Sequence, residues 1–267
     1  IIKILNGSKW TFNELPMRVV LIDSSTDGSE ENIREALELE WSEFFDDCII
    51  AKKGKLTLVH YLHRKGGKAW VLNKFTNKIE TKYFGVVDAD WLLDFKPLIM
   101  ATSYLHNHPR NAYVQIRWHA TSKSNSIVAK LDQLSIDYRH WVENPVRSWH
   151  GVPVTIHGSG FIIRTSDFVG VGGFREGILS EDVDLAIRLM LKGKIGYGLS
   201  NISMQLQSCD HLKQFFWQKW RWIEGRSQLL RQYTIPICKT HFMSLWQKIV
   251  WLFYLGYFGR FVGFAYA

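Results

Sequence analysis

Apolar positions along this chain fall into short unbroken runs separated by stretches with helical spacing. Arg18–Asp23 (RVVLID) is a continuous apolar run closed by an acid, the pattern of a strand covered on both faces. S-S-T-D-G-S follows as a turn, and Glu30–Glu40 reads as a helix. Leu56–Tyr61 predicts a strand, G-G-K opens a helix to about Thr76, and Tyr83–Asp88 is another strand ending in acid. Lys96–Asn107 predicts a helix, Ala112–Trp118 a strand and Ser122–Val142 a helix. Val154–Arg164 reads as a glycine-containing region of paired strands, and Glu181–Lys192 as a helix that begins after Ser180. Short strands at Ile195–Gly198 and Ile202–Leu206 precede a long helix over His211–Gln232. Strands alternating with helices predict an α/β domain built on a mainly parallel central sheet. Internal repeats and low-complexity stretches are absent.

Composition narrows the class. With 267 residues, 46% hydrophobic and 22% charged, the chain is neither disordered nor collagen-like and is long enough for a buried core. Lys and Arg exceed Asp and Glu by 33 to 25, a formal charge of +8. Such an excess suits a phosphate-bearing ligand, nucleic acid or an anionic membrane surface. Cys48, Cys209 and Cys238 show no metal-binding spacing and no disulfide framework, which fits a reducing compartment. No secretory signal is recognisable, and the chain does not begin with Met, as expected of a fragment.

The charge is not evenly spread. From His211 to Lys248 there are seven Lys/Arg against one acid, Glu224. An apolar run, IVWLFYLGYFGRFVGFAYA, follows and is broken only by Arg260. Ile249–Gly259 falls short of the ~20 apolar residues of a membrane span. Residues 244–267 are therefore expected to form an interfacial helix or the start of a truncated transmembrane helix, after a catalytic domain over 1–243. A buried core helix is the alternative.

Four places carry candidate chemistry. In open α/β sheets ligands bind beyond the carboxyl ends of strands. Asp23 stands at one such end, and the pair Asp88–Ala89–Asp90 at another. Two carboxylates one residue apart can share a hard divalent cation with a phosphate, although D-x-D is a common tripeptide and often only a turn or a cap. The third place is Ser180–Glu181–Asp182–Val183–Asp184, which follows the glycine-rich segments H-G-S-G-F and V-G-G-F. Ser180 as a side-chain cap with acids in the first turn suits a helix start, and a carboxylate beside such loops can also take a proton from a hydroxyl. The fourth is Q-K-W-R-W at 218–222, where Gln218, Arg221 and Trp222 share a helix face. That face offers an amide, a fixed cation for diphosphate and an indole for stacking on a sugar. An amphipathic interfacial helix would show the same residues.

In order, Asp23, Asp88-x-Asp90, Glu181–Asp182 and Q-x-x-R-W resemble the D, D-x-D, E-D, Q-x-x-R-W signature of processive inverting family-2 glycosyltransferases. These are the cellulose, chitin and hyaluronan synthases and their glucomannan-type relatives. I-D-S-S-T-D-G-S at 22–29, G-G-K-A-W-V-L-N at 66–73 and S-E-D-V-D-L at 180–185 extend the resemblance from Arg18 to about Leu230. It implies a GT-A nucleotide-sugar-binding, Rossmann-like domain beside membrane helices, with the catalytic domain on the cytoplasmic side. Asp23 would contact the uridine of a UDP-sugar, and Lys68 would lie near the nucleotide or its diphosphate. Asp88 and Asp90 would hold nucleotide and a Mg2+ or Mn2+. Asp182 would be the general base, with Glu181 orienting the acceptor and Asp184 mattering less. Gly158 and Ser159 would line the acceptor pocket, Gln218 and Arg221 would steady the diphosphate, and Trp222 would stack at the acceptor site. The implied partners are a nucleotide-sugar donor, a glycan or lipid acceptor and a membrane, with no nucleic acid. One carboxylate as base suits inversion, because retention through a protein nucleophile usually needs a second.

The chain departs from the pattern in places. The first strand with its P-x-x-N-E segment is absent, Asp23–Ser24 stands for the usual acid pair, and Ser180 replaces the Thr of T-E-D. Two other readings compete. A non-processive transferase to a lipid or protein acceptor would be told apart by product length. A basic, Trp-rich RNA-binding domain would bind without metal, but no matching RNA or DNA motif is present.

Overall fold

The computed structural model describes residues 16–63, 66–122 and 125–265, with side chains to residue 256. Residues 1–15 and the end of the apolar tail, with Arg260, lie outside the described side chains. The chain divides into two compact units at Lys78/Ile79.

The first unit contains β1 (Val19–Asp23), α1 (Ser29–Ala36), β2 (Glu40–Phe44), β3 (Cys48–Lys53), β4 (Leu56–Tyr61) and α2 (Lys68–Thr76). Its sheet runs β1-β4-β3-β2. β1 pairs with β4 in parallel and places Asp23 opposite His60, while β3 pairs antiparallel with both β4 and β2. Cys48, Val59, Tyr61 and Val71 form the core between this sheet and α2. The helix expected to reach Glu40 ends at Ala36. Glu38, at φ 51°, turns the chain, and E-W-S-E-F becomes a strand that alternates exposed and half-buried positions.

The second unit contains β5 (Tyr83–Val86), α3 (Phe95–Asn107), β6 (Asn111–Thr121), α4 (Ile127–Asp137), a π-helical turn (Tyr138–Glu143) and α5 (Asn144–Trp149). It continues through β7 (Phe161–Arg164), α6 (Thr165–Gly170), α7 (Glu181–Leu191), β8 (Ile195–Gln207), α8 (Leu212–Lys239) and α9 (Leu245–Ala265). Its sheet runs β5-β7-β6-β8. β7 is antiparallel to both neighbours, and only β6 and β8 run parallel.

The sheets are therefore mixed, which corrects the expectation of a mainly parallel one. An unbroken apolar run reports burial on both faces and not the direction of the neighbouring strand. Two other elements also differ. The two short strands expected between 195 and 206 are one strand whose register against β6 slips between Ile116 and Arg117. The region expected as paired strands from Val154 is buried irregular chain until Phe161. α8 outlasts Gln232 although Pro236 lacks an N–H for its last turn, because Tyr233 and Ile237 stay buried beyond that point.

Among the described residues no helix is long and apolar enough to cross a membrane. The start of a spanning helix expected at 244–267 therefore has no support here. α9 spends one face on packing, with Trp251 and Leu255 fully buried. Arg147 lies 4.4 Å from the Tyr254 ring centroid, and Arg226 lies 4.2 Å from it.

Candidate active site

Within the first unit Asp23 ends β1 half-buried. Its Oδ2 is 2.7 Å from His60 Nδ1, and Ser25 Oγ donates to its Oδ1 at 2.9 Å. Glu30, in the first turn of α1, completes a trio with Asp23 and His60 whose ligating atoms lie within 4.8 Å of one another. Sequence reading found Asp23 and missed its two neighbours. His60 lies in an apolar strand, and its meaning comes only from the register that sets it opposite Asp23. Lys68 opens α2 half-buried, directly after the Gly67 cap.

In the second unit the chemistry gathers around the H-G-S-G loop. Asp88 follows β5 half-buried, and Asp90 is exposed. The Asp88 amide donates to Ser159 Oγ at 2.8 Å, while the Asp88 carbonyl accepts from Trp91 N at 3.2 Å. The D-A-D turn is thus pinned from both sides. Buried Trp91 packs edge-on against Trp118, with centroids 4.9 Å apart. Ser159 is itself buried, so its hydroxyl shapes this turn.

The loop is clamped by two side chains that were not among the candidates read from the sequence. Gln115, 1% exposed in β6, donates through Nε2 to the carbonyls of Ser159 (2.9 Å) and Gly160 (3.0 Å) and accepts the His157 amide at 2.9 Å. Trp118 Nε1 also donates to Ser159 O. A buried glutamine in an otherwise apolar strand was the available signal, since such a group must find partners. Gly160 requires its glycine: φ is +64°, and a Cβ would stand 2.9 Å from the Trp91 ring. Behind the loop, Asn144 Nδ2 lies 3.3 Å from His157 Nε2, and Trp118 stacks on His140. Burial, helped by nearby cationic groups, holds both imidazoles well below their usual pKa, so they are neutral at pH 7.

The same loop reaches the candidate base. At Gly158 (φ +82°) a Cβ would stand 3.4 Å from Asp182 Oδ2, so the loop runs directly beside this carboxylate. Glu181 and Asp182 begin α7 half-buried, where the helix N-terminus favours negative charge. Ser180, expected as a side-chain cap, makes no cap hydrogen bond and instead lies buried against Gly225 of α8. Asp184 is fully buried. It accepts from Arg188 Nε at 2.7 Å and Tyr233 OH at 2.6 Å, with Arg175 at 3.4 Å. Arg188 in turn donates to the carbonyls of Val171 and Gly173. Asp184 therefore holds the fold, and removing one partner from such a buried set costs about 3–5 kcal/mol.

The Q-x-x-R-W face on α8 is organised by Lys219. Its Nζ donates to Asp132 at 2.6 Å and to Gln218 Oε1 at 3.2 Å, and it lies 4.2 Å from the Trp222 ring centroid. Arg139 approaches the same indole at 5.2 Å. Arg221 is exposed, whereas Gln218 and Trp222 are half-buried. One turn on, Gly225 presses against Ser180, which brings the motif helix to the start of α7. A Cβ on Gly225 would overlap Ser180 Oγ and approach Ser180 N at 3.2 Å. Gly→Ala in a helix ordinarily stabilises by about 1 kcal/mol. Here overpacking reverses the sign, and Gly225→Ala is expected to destabilise by about 1–3 kcal/mol. A thermal melt reads the sign, and a raised Tm would mean that the two helices are not in contact.

Asp88 and Asp90 offer only carboxylate oxygens, the donor type that suits Mg2+ or Mn2+. The trio in the first unit adds an imidazole, a donor better suited to transition metals.

The profile of Glycosyl transferase family group 2 matches residues 83–267. The chain is 27% identical over 248 residues to glucomannan 4-beta-mannosyltransferase 9 of Arabidopsis thaliana, covering 91% of this chain and 44% of that protein. It is 28% identical over 247 residues to glucomannan 4-beta-mannosyltransferase 1 of Oryza sativa subsp. japonica, covering 91% and 45%. The chain thus spans less than half the length of these relatives. Among solved structures it is similar to the mannosyltransferase PcManGT from Pyrobaculum calidifontis in complex with GDP-Man and Mn2+. The TM-score is 0.56 and identity 18%, with 80% of this chain and 54% of that one covered. It is also similar to S. aureus TarS 1-349 in complex with UDP-GlcNAc, with a TM-score of 0.59, 15% identity and coverage of 93% and 64%. These likenesses show a GT-A-like α/β glycosyltransferase fold.

Proposed function

This chain belongs to glycosyl transferase family group 2, and on that footing we propose that it transfers a sugar from a nucleotide-sugar donor to a glycan acceptor with inversion. The observation that carries the reading is the H-G-S-G loop. One of its residues fixes the D-A-D turn, and the next one back lies against the Asp182 carboxylate. Donor-side and acceptor-side groups are thereby set on one short segment.

Asp182 takes the proton of the acceptor hydroxyl as its oxygen attacks the anomeric carbon. The bond to the nucleoside diphosphate breaks on the opposite face, which gives inversion. Arg221 and Gln218 steady the leaving diphosphate, and Trp222, held by Lys219, stacks on the acceptor sugar. A Mg2+ or Mn2+ held by Asp88 and Asp90 would supply neutralisation of the diphosphate charge. Asp23 with His60, and Lys68, bind the nucleotide. The donor is a UDP-sugar or, as the mannosyltransferase relatives suggest, GDP-mannose. The acceptor is a growing polysaccharide. The catalytic residues face the cytoplasm at a membrane, a reading supported by the seven basic residues from His211 to Lys248 and the five Trp from His211 onward.

The test incubates the chain, and membranes holding the whole protein, with a panel of UDP- and GDP-sugars and Mg2+ or Mn2+, and then sizes the product. A metal-dependent polymer from one donor is the expected outcome. A single-sugar product on lipid would replace polymer synthesis with lipid glycosylation, and no transfer from any donor would remove the enzymatic reading.

A further inference from the structure

The pattern Q-x-x-R-W leaves its second position open, and this chain fills it with a lysine that faces inward. The Lys219 side chain is 17% exposed, and its Nζ lies 2.6 Å from Asp132 Oδ1. Asp132 belongs to the inner, buried row of α4 with Ala129 and Ile136, while Ile127, Leu131 and Leu134 form the exposed outer row. Its second oxygen, Oδ2, accepts the Cys209 amide at 2.9 Å. The pair therefore ties together α4, the chain just after β8 and α8.

A tie alone does not call for a lysine. A buried ion pair is often no more stabilising than apolar residues of the same volume. Lys219 also does what an apolar residue could not. An ammonium only donates, so the bond to Gln218 Oε1 at 3.2 Å decides which way that amide points. The oxygen is turned to Lys219, and the Nε2 donors are turned away from it. Donors are what an anionic diphosphate needs from an amide. The same ammonium lies 4.2 Å from the Trp222 ring centroid and 4.9 Å from that of Phe215, close enough for a cation to hold an aromatic face. Gln218, Lys219 and Trp222 span little more than one helical turn, so one fixed charge sets both an amide and an indole. Burial lowers the Lys219 pKa, and its hydrogen bond to Asp132 opposes that shift.

We propose that Asp132 and Lys219 are positioning residues for the transfer. Lys219 aims the Gln218 amide at the leaving diphosphate and fixes the indole of Trp222 for the acceptor sugar, and Asp132 holds Lys219 in place. The proposal rests on the transferase reading above and adds to it two residues outside the motif letters.

The test separates positioning from stability. Asp132→Asn leaves a buried ammonium unpaired and Lys219→Met leaves a buried carboxylate unpaired, so each alone is expected to lower Tm. The double variant removes both charges, keeps an oxygen for the Cys209 amide and keeps the bulk of the lysine stem. Its Tm is expected to return to near that of the unaltered chain, whereas function is not. In membranes holding the whole protein, kcat/KM for the acceptor should remain ~10–100-fold low, the scale of a misplaced contact group. Calorimetric titration of the chain in Mn2+ gives a readout independent of turnover. The double variant should bind UDP or GDP about tenfold more weakly, as for one lost hydrogen bond to a charged group, with UMP or GMP unchanged. A double variant that recovers kcat/KM and diphosphate affinity together with Tm would reduce the pair to a tie between helices. An unaltered chain with no preference for the diphosphate over the monophosphate would do the same. If the double variant loses that preference while no membrane preparation transfers sugar, the pair still positions Gln218 and the transferase reading falls.

Discussion

Asp182→Asn is expected to leave donor affinity intact while kcat falls by about 10²–10⁴-fold, the usual contribution of a positioned general base. The substitution is nearly isosteric and keeps an oxygen at the first turn of α7, so the fold survives. An amide cannot take the acceptor's proton at neutral pH. Donor affinity is spared because the nucleotide is assigned to Asp23, Lys68, Asp88 and Arg221, not to α7. The comparison needs Glu181→Gln, Asp184→Asn and a melt beside the kinetics. Asp184 is fully buried among Arg188, Arg175 and Tyr233, so its variant loses activity through stability and shows a lowered Tm. Asp182→Asn loses activity at an unchanged Tm. An Asp182→Asn enzyme with near-normal kcat and a dead, stable Asp184→Asn enzyme would place the base two residues away, which burial of Asp184 argues against.

Asp88→Asn and Asp90→Asn are each expected to lower turnover by about 10²–10³-fold or more, comparable to losing one preorganised group that stabilises transition-state charge. Each removes an anionic oxygen that the proposed mechanism sets toward the diphosphate. The two need not behave alike at high metal. Asp88 is pinned by Ser159 and Trp91, whereas Asp90 is exposed. Asp90→Asn is therefore expected to regain more activity when Mn2+ is raised, read as a shift in the metal concentration for half-maximal rate. Normal turnover by either variant at low metal would move the metal to the Asp23–Glu30–His60 trio.

Local signals in the sequence carried the parts of this architecture that depend on neighbouring residues. The strand end at Asp23, the G-G-K helix start and the helix opening at Glu181 were all legible, while the strand expected to run to Asp88 stops at Val86. What depended on distant pairing was not. Glu40 read as the end of a helix and Trp41–Phe44 as no element, because E-W-S-E-F has no apolar face strong enough to declare a strand, and only Cys48–Lys53 beside it makes it one. The mixed direction of both sheets has no signature in an apolar run. At the site, the acids and the Q-x-x-R-W residues stood out as types. Gln115, Asp132, His140 and His157 did not, since each acts through a partner at least 13 residues away. Ser180 misled for the opposite reason: it sits where a cap belongs, but Gly225 decides its surroundings.

The π-helical turn at Tyr138–Glu143 sets the phase of the helical run on which two surfaces depend. A π turn holds one more residue than the α turn it replaces. Deleting one residue there would rotate everything after it by about 100° relative to everything before it. Asn144 would leave His157, and Trp149 would leave the line of Leu131 and Leu134. Length in this segment is thus under a tighter constraint than residue identity. A single substitution along the outer row changes one exposed side chain, whereas a one-residue indel turns the whole row away from the loop that Asn144 supports.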